Sequence, residues 1–248
     1  MLDSEVFDRD ALFARLRRRP DVEAPNLTAV DAADRLILDE AAAALSAARP
    51  GTLAVIGDHY GALTLGAAAT HVSTGIRVHQ DPLTGELALA ANAATVGLAD
   101  RYRACALGEE LLAGATVVLM QLPRSLAELT EVAEAIARHA DPSVVVYAGG
   151  RNKHISTAMN DVLGRSFSDV RATLGRQKSR VLIASGPVEV AQQTYPVTDH
   201  LAEIGLDVVS YGAAFAGPKL DIGTRYLLDF LPRVNPAEIG RASCRERV

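Results

Sequence analysis

Tryptophan is absent from this 248-residue chain, and aromatic residues make up only 4% of it. A surface that reads nucleic acid mainly by stacking bases on aromatic rings is therefore excluded as its dominant chemistry. Cysteine occurs only at Cys105 and Cys244, too sparse for a disulfide framework or a zinc knuckle. The six histidines (His59, His71, His79, His139, His154 and His200) show no ligand spacing, so no metal is expected. No apolar run nears the ~20 residues of a membrane span, and the acidic N-terminus lacks a signal-peptide pattern. A cytoplasmic protein without a membrane partner is expected. No Ser-His-Asp order and no phosphate-binding P-loop occurs. An excess of positive charge is missing too: the net charge is −5, so a polyanion must be met by a local patch.

What is present is an ordinary globular composition, 49% hydrophobic and 22% charged, in a chain long enough for one large domain or two small ones. The stretch around which it is organised is Gly51 to Thr64. An apolar run, Leu53 to Ile56, meets two glycines, Gly57 and Gly61, that bracket Asp58, and an Ala/Leu-rich helical pattern follows. A buried parallel strand, a tight turn and a helix start form the nucleotide-site opening of an open α/β sheet. A second opening, Gly75 to Asp81, ends on an acidic side chain placed to accept ribose hydroxyls.

Helices are expected over Glu5 to Arg19, with Arg15, Arg17, Arg18 and Arg19 crowding the last turn, over Thr28 to Ala48, over Ala62 to Thr70, and from Pro82 to about Thr95. Strands are expected at Ile76 to His79, Arg103 to Leu107, Thr116 to Met120, and Ser143 to Tyr147, the last closed by Gly149 and Gly150. Ser125 with Glu128 reads as a capping box for a helix to His139, and another helix runs from about His154 to Leu163. Two close runs, Val170 to Leu174 and Arg180 to Ala184, read as an antiparallel edge hairpin. The fold class is therefore α/β, a doubly wound, mostly parallel sheet with helices on both faces. From Pro187 to Gly217 the period is lost and an inter-domain ribbon is expected, before Leu220 to Leu231 resumes a helix.

Three places could carry chemistry. Gly57, Asp58, Gly61 and Asp81 have the pattern of a dinucleotide or S-adenosylmethionine turn, because glycines let ligand atoms approach the backbone. The bulky His59-Tyr60 pair between the glycines is a poor cradle, so the site reads as vestigial. The end of the fourth strand, Gln121-Leu122-Pro123-Arg124, lacks the acceptor pair and aromatic that orient an exocyclic amine, and no catalytic residue is expected. The stretch 151–180 holds seven cations against Asp161 and Asp169. Arg151, Lys153, Arg176, Lys178 and Arg180 are its candidate RNA contacts, as a basic stripe suits phosphates. Cys105, inside a strand, reads as core.

At these residues the chain resembles the N-terminal half of the bacterial ribosomal RNA guanine-N2 methyltransferases that have tandem methyltransferase-like domains. The likeness is carried by Gly57 to Thr64, Gln121 to Leu126, Lys153 to Ser156, Arg176 to Val181 and, most strongly, Lys219 to Leu228. The resemblance implies a degenerate class I methyltransferase fold over residues 1–190 that has lost its cofactor and positions ribosomal RNA or a ribosomal subunit. It implies a linker and the start of a missing C-terminal catalytic domain over 191–237. That missing domain would bind S-adenosylmethionine through an Asp-x-Gly-x-Gly-type loop and carry Asn-Pro-Pro-Phe; neither motif occurs here. The alternative is a stand-alone RNA- or protein-binding module with this fold and no activity.

The last eleven residues, Glu238 to Val248, have no hydrophobic period and read like a translated sequencing adapter. The natural protein is therefore expected to continue past Ala237. Sequencing the gene across that codon checks this, and an open frame running into both missing motifs is the expected outcome.

Overall fold

The computed structural model describes residues 8–71 and 73–230. Nine strands lie within that range: β1 Leu53–Ile56, β2 Ile76–His79, β3 Tyr102–Ala104, β4 Val117–Gln121, β5 Val145–Arg151, β6 Phe167–Ala172, β7 Ser179–Pro187, β8 Val197–Leu201 and β9 Leu206–Ser210. The first seven form one sheet of order β3-β2-β1-β4-β5-β7-β6. Strands β3 to β5 in that order run parallel, with Ala54 in register with Arg77 on one side and Val118 on the other. Strand β7 enters antiparallel beside β5, and β6 closes the edge. The expected edge hairpin is thus present. The chain order reverses between β1 and β4, the switch point at which such sheets open a crevice beyond their carboxyl ends.

Full burial on both faces explains why β1 and most of β4 are continuously apolar rather than alternating. The eight helices are α1 Arg9–Arg15, α2 Ala32–Ala47, α3 Ala62–Thr70, α4 Leu83–Val96, α5 Glu109–Leu112, α6 Leu126–His139, α7 Thr157–Ser166 and α8 Ile222–Leu228. Leu53, Val55, Leu119, Tyr147, Val181 and Ile183 project into one core with α1 to α4. Their neighbours Ala54, Ile56, Val118, Met120, Val146 and Leu182 project into the other, with α5 to α7. Period-two alternation along each strand feeds both cores.

Several sequence expectations shift. The first helix stops at Arg15, so Arg17, Arg18 and Arg19 lie beyond it; the expected start, Glu5 to Phe7, lies outside the described residues. The third strand ends at Ala104, and Cys105 is buried just past it. Ser125 caps α6 through the N–H groups of Ala127 and Glu128, but the reciprocal capping box sits instead on α2, between Asp31 and Asp34. Gly149 and Gly150 do not end β5, which runs through both to Arg151. A Cβ on Gly149 would stand 2.4 Å from Ile37 Cγ1 of α2. The glycine is there to let the helix lie close on the strand.

The chain divides into two compact units between Thr194 and Tyr195. The first unit ends on a clasp: the buried carboxylate of Glu134 accepts from Thr194 N (2.7 Å) and Thr194 Oγ1 (2.6 Å). In the second, β8 and β9 form an antiparallel hairpin. Helix α8 is capped by Asp221, which accepts from Gly223 N and Thr224 N. Of the expected helix over Leu220 to Leu231, the structure gives Ile222–Leu228, and Leu231 lies outside the described residues. The adapter-like tail, 238–248, lies outside the described residues.

Gly149→Ala is expected to lower stability by about 2 kcal/mol through overpacking against Ile37, a fall in Tm on the order of 5 °C. Gly164→Ala, inside α7 with open space around it, is expected to raise stability by up to ~1 kcal/mol. Thermal melts of both variants check the pair.

Candidate functional site

The turn after β1 keeps a specific backbone form. Gly57, His59 and Gly61 have φ of +70°, +54° and +96°. Three left-handed residues at every second position are what a Gly-x-Gly-x-Gly turn supplies, and here His59 stands at the centre. Histidine is among the side chains that visit this region with some frequency, but the conformation still costs about 1 kcal/mol. The glycine at 61 serves packing: a Cβ there would meet Leu89 Cδ1 at 2.8 Å and Leu65 Cδ1 at 3.0 Å.

Asp58 is buried, and both carboxylate oxygens are engaged. Oδ1 accepts from Leu63 N (2.7 Å) and Oδ2 from Thr64 N (2.8 Å). The residue preceding α3, Gly61, has no side chain to cap the helix, so Asp58 supplies the cap from further back. Burial pushes its carboxyl up to about 6, against the pull of the Thr64 and Leu63 bonds. A second buried carboxyl, Asp34, accepts from the Gln121 side chain and from Asp31 N. Burial first, then the charges of Asp31 and Asp58, hold Asp34 well above the usual carboxylate range. Gln121, at the end of β4, is thereby committed to the interior.

The segment after α1 folds over the turn. The Tyr60 hydroxyl donates to Asp21, and the Arg18 guanidinium lies 4.6 Å over the Tyr60 ring while pairing with Asp21 at 2.9 Å. Asn92 of α4 donates to the carbonyls of Tyr60 and Arg17 and accepts from Arg17 N, all within 2.9 Å. Burial and the Asp21 bond push the Tyr60 hydroxyl up to about 12. Arg17 and Arg18, read from sequence as a helix end, are instead fasteners of this cover. Sequence gave no sign of the Tyr60–Asp21 contact, which spans 39 positions.

At the end of β2 the buried side chain is Gln80, and Asp81 is exposed. Gly85 packs on Gln80 and on the His59 carbonyl. Of the four expected cofactor residues, the structure groups Gly57, Asp58 and Gly61 in one turn and leaves Asp81 outside it.

The candidate RNA contacts meet at the carboxyl edge of β5. Arg151 is in register with Ser179, and Gly150 with Arg180, so the start of β7 lies beside the end of β5. Lys153 follows in a 3-10 turn, Asn152–His154. All five side chains are exposed, but they are not equivalent. Arg151 pairs with Asp31 at 3.7 Å and Arg176 pairs with Asp39, both carboxylates belonging to α2 or its cap. Lys153, Lys178 and Arg180 have no carboxylate within 4 Å among the described residues. Arg165 lies at the end of α7, on the opposite edge of the sheet. Among the described residues no group of three or more His, Cys, Asp or Glu side chains is placed to hold a metal, and no helix is long and apolar enough to cross a membrane.

The Asp58 site makes a pH prediction. Its folded value of about 6 exceeds the unfolded 3.8, so the folded chain binds the proton more tightly. The associated stability is complete below about pH 4 and is lost as pH rises to about 6. In Asp58→Asn this component disappears, and the stability difference from the parent changes across that window. At pH 7 the variant is expected to lose on the order of 1–2 kcal/mol, because an amide accepts through one oxygen only. Urea titrations from pH 4 to 7 check it; a constant difference across the window would count against the assignment.

Comparison with known proteins agrees with this geometry. The chain is 31% identical over 225 residues to the ribosomal RNA large subunit methyltransferase G of Shewanella amazonensis, covering 88% of this chain and 57% of that protein. It is 31% identical over 232 residues to the protein of the same name from Pseudomonas fluorescens, covering 92% and 61%. It thus spans about three-fifths of the length of the curated relatives it matches. Among solved structures, the putative methyltransferase yhhF from Escherichia coli superposes with a TM-score of 0.50 at 14% identity, covering 68% of this chain and 90% of that one. The precorrin-6y C5,15-methyltransferase from Geobacter metallireducens also gives 0.50, at 12% identity, over 66% and 92%. Those two likenesses establish the fold, a class I methyltransferase sheet. The family described as RLMG N-terminal domain matches residues 4–188, and the chain belongs to it.

Proposed function

We propose that this chain is the RNA-positioning part of an S-adenosylmethionine-dependent methyltransferase acting on a guanine exocyclic amine of large-subunit ribosomal RNA. The observation that carries the reading is a contrast along one sheet edge. The nucleotide turn is filled by the chain's own groups, while the neighbouring strands carry cations with no carboxylate within 4 Å among the described residues. The relatives' name supplies methyl transfer and the ribosomal substrate, and the cytoplasm is where that substrate resides.

The residues of the turn do not fit S-adenosylmethionine. Both Asp58 oxygens are held by the N-terminal amides of α3. The Tyr60 hydroxyl is held by Asp21. A side chain, His59, stands where a glycine would admit a ligand, and the exposed Asp81 has left the turn. In a protein of the relatives' length, cofactor binding and amine orientation fall to residues outside this family domain, on the C-terminal side. This unit contributes orientation of the RNA, which lowers the entropic part of the barrier without touching the reacting atoms.

Lys153→Glu/Lys178→Glu/Arg180→Glu is expected to weaken binding of a ribosomal RNA fragment at least tenfold. Its log K against log salt slope should fall by about 2, near 0.7 per lost contact to single-stranded RNA. Calorimetry of the chain with S-adenosylmethionine is expected to be silent, and the chain alone to transfer no methyl group. Micromolar cofactor binding or turnover would overturn the proposal.

A further inference from the structure

We propose that the carboxyl edge of the sheet from β7 to β1 holds one RNA strand, with phosphates at Lys178, Arg180, Lys153 and Arg124 and a base against the His59 ring. The inference rests on the RNA-binding reading above and adds to it a path, two further residues and the strandedness of the substrate.

The path follows from topology. Strands β1, β4 and β5 are parallel and adjacent, and β7 lies beside β5 in the opposite sense. The residues after β1, β4 and β5 and those at the start of β7 therefore share one edge. In strand order it presents His59, Arg124, Lys153 and then Lys178 and Arg180, all exposed. Arg124 has no carboxylate within 4 Å among the described residues, and its charge helps hold the His59 imidazole below its usual range. The larger cause is partial burial of the ring, although the residue as a whole is exposed, and the Asp31 charge pulls the other way. A ring that is neutral at pH 7 offers a stacking face rather than a charge.

The path has limits at both ends. Beyond β1 the edge turns acidic: Asp81 is exposed, and its charge contributes, after burial, to raising the Glu128 carboxyl. A phosphate chain is repelled there. At the other end stands a fixed tip. Gln177 and Lys178 have φ of +50° and +61° in a two-residue turn. Paired bonds of 2.9 Å between Arg176 and Ser179 close it. Such turns ordinarily take Asn-Gly. Asn152 N donates to the Lys178 carbonyl at 2.8 Å, which ties the tip to the segment after β5. The Lys178 backbone is thus set before any ligand arrives.

Strandedness follows from size. Neighbouring strands lie ~4.8 Å apart, so three steps from β1 to β7 span on the order of 15 Å. Double-stranded RNA readers span about 16 base pairs and two successive grooves, far more than this edge offers. Single-strand modules take as few as about 4 nucleotides, with unstacked bases laid on rings that include histidine.

The test is fluorescence anisotropy of the chain with a labelled, unstructured 12-nucleotide RNA and with the duplex formed from it and its complement, across a salt series. The single strand is expected to bind at least tenfold more tightly than the duplex. Arg124→Gln is expected to reduce the salt slope by about 0.7. His59→Asn keeps a residue that tolerates the left-handed backbone but removes the ring; it is expected to weaken binding about tenfold with the slope unchanged. Arg165→Gln, on the opposite edge, is the control, expected to match the parent. Parent-like melting of each variant accompanies the titrations, and Arg124→Lys is expected to restore the slope. Equal or tighter duplex binding, or parent-like binding by either the Arg124→Gln or the His59→Asn variant, overturns the path. If the triple glutamate variant still loses RNA in that case, the RNA-binding reading survives; if the parent binds neither probe, both fall.

Discussion

The grip of the Asp58 carboxylate on Leu63 N and Thr64 N is the interaction on which the rest of the first unit depends. An α-helix leaves its first amides without partners, and α3 packs against α1, α2 and β2 with its first turn, Ala62 to Thr64, buried. Gly61 can offer those amides nothing. A carboxylate from the strand side satisfies two of them and places negative charge at the positive end of the helix dipole. Its burial is costly enough to push its carboxyl up to about 6. The structure tolerates that cost because without the carboxylate the α3 amides would be buried unsatisfied.

This grip also makes the turn after β1 a structural joint. The backbone still follows the left-handed alternation at Gly57, His59 and Gly61, but the Asp58 carboxylate and the Tyr60 hydroxyl have partners of their own. The Arg18–Asp21–Tyr60 cover and the Asn92 clamp then fasten the segment after α1 across the turn. The turn's Asp58 and Tyr60 side chains are thus engaged within the fold itself. Function on such a fold has to be sought elsewhere on its surface.

Charge is sorted by the same logic. Among seven cations between 151 and 180, Arg151 and Arg176 neutralise carboxylates around α2, and Arg9 shares Asp39 with Arg176. Those pairs tie α2 to β5 and to the β6–β7 turn. Among the described residues Lys153, Lys178 and Arg180 have no carboxylate within 4 Å and lie where the parallel strands end, whereas Arg165 and Arg171 lie elsewhere, at the end of α7 and within β6. In a chain of net charge −5, a local excess survives only because the sheet edge brings Lys153, Lys178, Arg180 and Arg124 together from separate strands.

The sequence by itself determined the sheet. Continuous apolar runs at Leu53 to Ile56 and Val117 to Met120, spaced by helical patterns, leave little alternative to buried parallel strands with crossovers, and the Gly57–Gly61 spacing located the turn. These signals are local, so one sequence carries them. Tertiary structure alone decided the rest. That Gly149 admits Ile37 instead of ending a strand, that Asp58 caps a helix, and that Tyr60 meets Asp21 depend on contacts between residues far apart in the chain. Which arginines are paired and which are not depends on where α2 lies, because a charge is free only if no opposite charge is folded against it. Periodicity predicts which face of an element is buried; it carries no information about which partner the burial brings.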